Sequence, residues 1–167
     1  MPPRPTSEPS PAAAWEYALQ LLTYRQRSER EMARRLQTRG FSGQVVTDTI
    51  DRLKGAGFLD DERFARDQAT YRLATHPVGR RRLQQELQQW GIDPGLAAVT
   101  VNELLTPEAE LAAARELARK YRRRNGEDNR HYAYRLARFL WQRGYSGEII
   151  QNLLAEIHTG DDIDRPR

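Results

Sequence analysis

The chain has 167 residues, 38% of them hydrophobic and 30% charged, a net charge of +4 and no cysteine. That composition excludes a disulfide framework, thiol chemistry and a cysteine-based zinc site, and it fits a reducing compartment. No apolar run reaches membrane length and the N-terminus lacks the apolar core of a signal peptide, so a soluble cytoplasmic protein with a real core is expected.

Residues 1–11 are proline-rich among small polar residues and are expected to form a disordered tail. Ser10 and Pro11 open a first helix carried by Trp15, Ala18, Leu19 and Leu22. Ser28 and Glu31 have capping-box spacing, so a second helix starts there and runs to Arg39. A third spans Gly43 to Lys54 and ends at Gly55-Ala56-Gly57. Asp60 or Asp61 caps a fourth, which uses Phe64, Ala65, Tyr71 and Leu73 and stops before Pro77. A fifth covers Val78 to Trp90, and a sixth Pro94 to Leu105. Thr106 and Pro107 open an alanine-rich seventh helix that runs to about Arg124. Asn125-Gly126 breaks it, and Asp128 or Asn129 caps an eighth that leads to Arg143. The ninth ends near His158, ahead of an acidic tail expected to fray. No stretch alternates like a strand.

One phrase recurs three times in this series: Leu36…Gly40-Phe41-Ser42, Leu87…Gly91-Ile92-Asp93 and Leu140…Gly144-Tyr145-Ser146. Each glycine is expected in the left-handed conformation just past a helix end, with an apolar contact between the leucine and the residue after the glycine. Ser42, Asp93 and Ser146 then cap the following helix. Around these turns the apolar residues Met32, Leu83 and Leu136 lie four before each leucine. Val45, Leu96 and Ile149 lie five past each glycine, Ile50, Val101 and Leu154 ten past, and Leu53, Leu104 and Ile157 thirteen past, which keeps one helix face apolar. The fold expected is all-α: three tandem three-helix repeats over 12–57, 58–105 and 106–158, between an N-terminal tail over 1–11 and an acidic tail over 159–167. A unit of about 50 residues is marginal alone, so stacked repeats are expected to share a core in an elongated, curved array.

Charge is uneven. From Arg115 to Arg143 the chain carries a local +7, leaving −3 elsewhere, and Arg80, Arg81 and Arg82 form a second basic point. Arg119, Lys120, Arg122, Arg123, Arg124 and Arg130 belong to the first cluster, near Tyr121, Tyr132 and Tyr134. Any one of these arginines reads equally well as part of a solvated helix face; the cluster leans towards a polyanion or an acidic protein surface. Chemistry is not indicated. His76, His131 and His158 are scattered without metal-ligand spacing, Asp60-Asp61-Glu62 is explained by helix capping, and no phosphate loop is present. Trp15, Trp90 and Trp141 read as packing residues before stacking platforms. No catalytic residue, metal or cofactor is expected. Helix–turn–helix reading of DNA is disfavoured because the helix after each turn is not arginine-rich.

The block Gly57-Phe58-Leu59-Asp60-Asp61-Glu62-Arg63-Phe64-Ala65, with Arg27-Ser28-Glu29-Arg30-Glu31-Met32, Arg82-Leu83-Gln84-Gln85-Glu86-Leu87 and the final Leu136 to Ser146, resembles the RecX family of bacterial regulatory proteins. The resemblance runs from Trp15 to Ile157. One departure is the order His76-Pro77-Val78-Gly79, where the family usually has Gly-Pro. The resemblance implies a regulator that binds the RecA recombinase and its DNA filament, mostly as an inhibitor of strand exchange, ATP hydrolysis and SOS induction, with no catalytic residues. A helical nucleic-acid-binding module acting without RecA is the alternative. A monomer is expected, and a weak dimer is compatible with the sequence.

Overall fold

The computed structural model describes residues 10–163, with side chains described through Ile157; of the tails expected over 1–11 and 159–167, residues 1–9 and 164–167 lie outside the described residues. Among the described residues there are nine helices and no strand: α1 (Pro11–Tyr24), α2 (Glu29–Thr38), α3 (Gly43–Gly55), α4 (Asp61–Thr75), α5 (Arg80–Gln89), α6 (Pro94–Leu104), α7 (Pro107–Lys120), α8 (Asn129–Gln142) and α9 (Gly147–Ile163). They form three three-helix repeats in tandem.

Capping chemistry sets most of these boundaries. Ser10, Ser28, Ser42, Asp60, Asp93, Thr106 and Asp128 each accept a hydrogen bond from a backbone N–H in the first turn that follows, which satisfies a donor the helix itself cannot pair. Gly40, Gly91 and Gly144 have φ of 96°, 93° and 87°. The N–H groups of Phe41, Ile92 and Tyr145 return to the carbonyls of Leu36, Leu87 and Leu140 at 3.2, 3.1 and 3.2 Å, the Schellman stop expected from the repeated phrase. All six of these apolar residues are buried.

Four expectations are corrected. The seventh helix stops at Lys120 instead of Arg124, because Tyr121 leaves the helical conformation. The Tyr121 ring packs 4.6 Å from Phe139, and its carbonyl accepts from the Tyr132 hydroxyl at 3.1 Å. Arg122, Arg123 and Arg124 therefore lie in a loop and do not close a helix. The ninth helix continues to Ile163, beyond the stop expected near His158. Tyr71 is 68% exposed, and Ala69 takes its expected place in the core of its repeat. The repeats do not share one core. Met32, Leu36, Val46 and Leu53 belong to one cluster, Leu83, Leu87, Ile92 and Val101 to a second, and Leu136, Leu140, Tyr145 and Ile150 to a third.

What joins the repeats is polar and follows one plan. The N-terminus of α2 meets the C-terminus of α5, and the N-terminus of α5 meets the C-terminus of α8. At the first junction the Ser28 hydroxyl donates to the Trp90 carbonyl at 2.5 Å, and the Glu29 N–H donates to Asp61 at 2.8 Å. At the second, the Gly79 N–H donates to the Arg143 carbonyl at 2.9 Å, and the Arg80 N–H donates to Glu110 at 2.8 Å. In each case the carbonyl just before a stop glycine is bound by the N-cap residue of the preceding repeat. A carboxylate from the first helix of the next repeat holds the first helical N–H. The positive end of one helix dipole thus meets the negative end of another, twice.

Candidate interaction surface

The head-to-tail line α2–α5–α8 places the second helix of every repeat in a comparable position. The outward residues of α2 are Arg30, Arg34, Arg35, Gln37 and Thr38; those of α5 are Arg81, Arg82, Gln85, Gln88 and Gln89. On α8 they are Asn129, Arg130, His131, Tyr134, Arg138, Trp141 and Gln142. None is acidic. The carboxylates these helices carry are held inside. Glu31 is bound by Arg25 at 2.6 Å and by Arg27; Glu86 is bound by Arg72 at 2.6 Å and Arg82 at 2.8 Å; half-buried Glu29 pairs with Lys54 at 3.0 Å. For both Glu31 and Glu86 burial pushes the carboxyl pKa up, but the adjacent guanidinium groups more than offset this and hold it below the usual range. Exposed acids occur instead at the α8 N-cap, where Asp128 pairs with His131 at 2.9 Å, and on first and third helices, among them Glu16, Asp48, Asp51, Glu62, Asp67, Glu103, Glu116, Glu148 and Glu156.

This outward side continues across both junctions. Arg81 of α5 lies over the Trp141 ring of α8, 4.0 Å from its centroid, and donates to the Trp141 carbonyl at 2.6 Å. At the first junction Arg30 and Arg34 of α2 line one cleft with Gln88 and Gln89 of α5. Along α8, Arg130, Tyr134, Arg138 and Trp141 are spaced by four, four and three residues and share one side of the helix. Tyr134 is 69% and Trp141 51% exposed, so rings and cations alternate there in reach of a partner.

The structure divides the residues singled out by sequence. Arg80 is a junction residue: its guanidinium binds Glu110, Asn102 and the Leu105 carbonyl. Arg81 and Arg82 lie on the outward side of α5, with Arg82 also tied to Glu86. Arg119 pairs with Glu116 at 2.8 Å, and Lys120 ends α7. Arg123 lies over the Tyr132 ring and reaches Asn129, while Arg122 and Arg124 are exposed in the loop before α8. Arg130 is on the outward side of α8. The 80–82 and 119–124 groups therefore lie at opposite ends of α7 and α8 and do not form one site. Of the tyrosines beside the second group, Tyr132 is buried and Tyr121 packs against it and Phe139, leaving Tyr134 alone outward. Arg30, Arg34, Arg35 and Arg138 were not singled out by sequence. The signal that finds them is helix position within the repeat, not charge density along the chain.

Among the described residues no group of three His, Asp or Glu is gathered as a metal site would need, and no helix is long and apolar enough to cross a membrane.

Models of the three RecX domains match this chain in order: the first three-helix domain over residues 14–53, the second over 60–99 and the third over 108–154. The chain is 38% identical to the regulatory protein RecX of Mycobacterium marinum, across 96% of this chain and 95% of that protein. It is 36% identical to the regulatory protein RecX of Chromobacterium violaceum, across 83% and 86% respectively. The crystal structure of RecX from Lactobacillus salivarius superposes with a TM-score of 0.81 at 21% identity, covering 89% of this chain and 97% of that one.

Proposed function

The chain belongs to the RecX family of regulatory proteins, and from that premise we propose that it binds the RecA recombinase and its filament on DNA and restrains ATP hydrolysis, strand exchange and SOS induction. The observation that carries the reading is the acid-free outward side of α2, α5 and α8, which runs through both junctions. Middle helices of about ten to fourteen residues at 1.5 Å per residue make a line of roughly 50 Å, long enough to touch several subunits or phosphates of a filament. Such a side would be drawn to acidic protein surface and to the phosphate backbone alike, and its affinity would fall as salt rises. Arg81, Arg82 and Arg130 lie on it; Arg119, Lys120, Arg122, Arg123 and Arg124 would contribute from the far end of the third repeat. Arg80, named from sequence as a contact, is also bound at the junction by Glu110.

The test is capture of RecA by the immobilised protein, with and without single-stranded DNA. The reading expects RecA to be retained in both cases and more strongly as a filament. Retention of DNA with no retention of RecA would favour a nucleic-acid-binding module that acts alone.

A further inference from the structure

Both junctions border clefts, and the linings differ in charge: the one of about 900 Å3 at the second sets Glu108, Glu110 and Glu148 among its arginines. A cleft of about 400 Å3 opens between repeats one and two beside α2. One wall carries Arg25, Arg30, Arg34 and Arg35, and the other carries Gln88 and Gln89 from the end of α5. We propose that this cleft is a binding site for the phosphate groups of a polyphosphate or nucleic-acid chain, which would bridge the first two repeats.

Arg30 stands in the first turn of α2, where a cation opposes the helix dipole, and Arg30 and Arg34 repel one another at i,i+4 spacing. Among the described residues neither makes an ion pair. At the second junction the counterpart of Arg30 has structural work, since Arg81 donates to the Trp141 carbonyl and lies over its ring, and the counterpart of Arg34 is the neutral Gln85. Among the described residues no carboxylate pairs with Arg34, and Arg30 only borders a second cleft with Asp51, Asp61 and Asp93, so their charge is available to a ligand.

The cleft is also prepared for an anion. Glu31 is its single carboxylate, and it is already occupied by Arg25 at 2.6 Å and by the buried Arg27. It therefore orients the arginine wall without filling it. The carbonyl end of α5 would repel an anion, but the Trp90 oxygen is taken by the Ser28 hydroxyl at 2.5 Å. Gln88 and Gln89 bring amide donors to the same space. Guanidinium groups bind phosphate oxygens through paired N–H donors, and Arg30 and Arg34, beside Arg25 and Arg35 shared with Glu31, suit a phosphate chain better than one carboxylate. Because the walls come from different repeats, the ligand would add to a junction that otherwise holds by the Ser28 and Glu29 hydrogen bonds.

The test is calorimetric titration of the full chain, at low salt and without recombinase, with inorganic pyrophosphate, ATP and a 20-nucleotide single strand. Three proteins are compared: wild type, Arg30→Gln with Arg34→Gln, and a control with Arg63→Gln and Arg66→Gln on α4. Wild type and control are expected to bind alike, and the cleft variant at least tenfold more weakly. Tighter binding of pyrophosphate and ATP identifies a free polyphosphate as the ligand, whereas binding of the oligonucleotide alone identifies the phosphodiester backbone. The cleft variant should melt at or above the wild-type midpoint, because it loses repulsion. If it melts lower, Arg34→Gln alone, outside the first turn, should still weaken binding several-fold. Absence of binding to wild type by all three probes, or equal binding by the cleft variant, overturns the site. Since no RecA is present, either result leaves the reading of RecA regulation to its own test.

Discussion

The two junctions follow the same plan and use their arginines in opposite ways. Each seats a helix N-terminus on the carbonyl before a stop glycine, and each draws a carboxylate from the next repeat. At the second, a backbone N–H makes the first bond, and the close fit leaves no room for a side chain: a Cβ on Gly144 would lie 2.4 Å from the Arg82 Cβ and backbone N. At the first, a serine hydroxyl makes that bond, and a Cβ on Gly91 would meet the Ser28 Oγ at 2.5 Å, a side-chain group that can move by giving up its bond to the Trp90 carbonyl. Arg80 and Arg81 stitch the second junction through Glu110, Asn102 and Trp141, whereas Arg30 and Arg34 leave the first unstitched. Arginines near the start of a middle helix can thus be mortar in one repeat and free surface in another. Only the neighbours decide.

That contrast can be broken most forcefully at the stop glycines. Gly144→Ala combines a left-handed backbone with a clash against fixed backbone and should cost about 2–5 kcal/mol. Gly40→Ala, where a Cβ meets nothing within 4 Å, should cost only about 1–2 kcal/mol of backbone strain. Hydrogen exchange resolved by repeat checks the order, with Gly91→Ala between them. Equal costs at the three positions would show that the second junction is no tighter than the first.

The carboxylates sharpen the comparison. Glu110 is buried, with its charge against the Arg80 N–H and guanidinium. Glu110→Gln should lower stability by about 1–3 kcal/mol in urea denaturation, as loss of a buried charged partner does. Asp61 differs: burial pushes its carboxyl pKa up, and the Glu29 N–H only partly offsets this. Asp61→Asn should therefore change stability by less than about 1 kcal/mol.

A smaller effect is expected beside Gly144. The Tyr145 hydroxyl is buried and has no hydrogen-bond partner among the described residues. Tyr145→Phe should stabilise the protein by about 1 kcal/mol at neutral pH. Burial also pushes this phenol up to about 12 from 10. The unfolded chain ionises first, so the contribution is complete below pH 10 and falls as pH rises from 10 to 12, by roughly 2–3 kcal/mol in all. Thermal midpoints of wild type and Tyr145→Phe should diverge further across that window; parallel curves would mean that the ring is not enclosed.

The turns were legible because each is a local device: a leucine, a glycine four residues on and a cap within seven residues. The core stripe was legible only to within one residue. Val46, Ala97 and Ile150, six past each glycine, are buried, while Val45, Leu96 and Ile149, five past, are half-buried. Thr49 and Thr100 are core residues that a hydrophobic pattern passes over; Thr49 hides its hydroxyl by donating to the Val45 carbonyl at 2.7 Å. The junctions carried no local signal, since Ser28 meets Trp90 from 62 positions away. For the same reason charge density pointed to Arg115–Arg143, whereas the acid-free side emerges when residues are grouped by helix position. The halt of α7 at Lys120 depends on Tyr132 and Phe139, which follow it in the chain.

The central claim, that the outward side of the middle helices engages the RecA filament, is tested most directly by ATP hydrolysis of RecA on single-stranded DNA against protein concentration, at two salt concentrations. The proteins to compare are wild type, Arg130→Glu with Arg138→Glu on the middle helix of the third repeat, and Arg122→Glu, Arg123→Glu and Arg124→Glu in the loop before α8, each confirmed folded by circular dichroism. The account predicts that wild type inhibits and that higher salt weakens the inhibition. It also predicts that the middle-helix variant needs at least tenfold more protein for half-inhibition, with a smaller loss for the loop variant. Unchanged inhibition by the folded middle-helix variant, beside full relief in the loop variant, would contradict it and place the working surface at the far end of the third repeat.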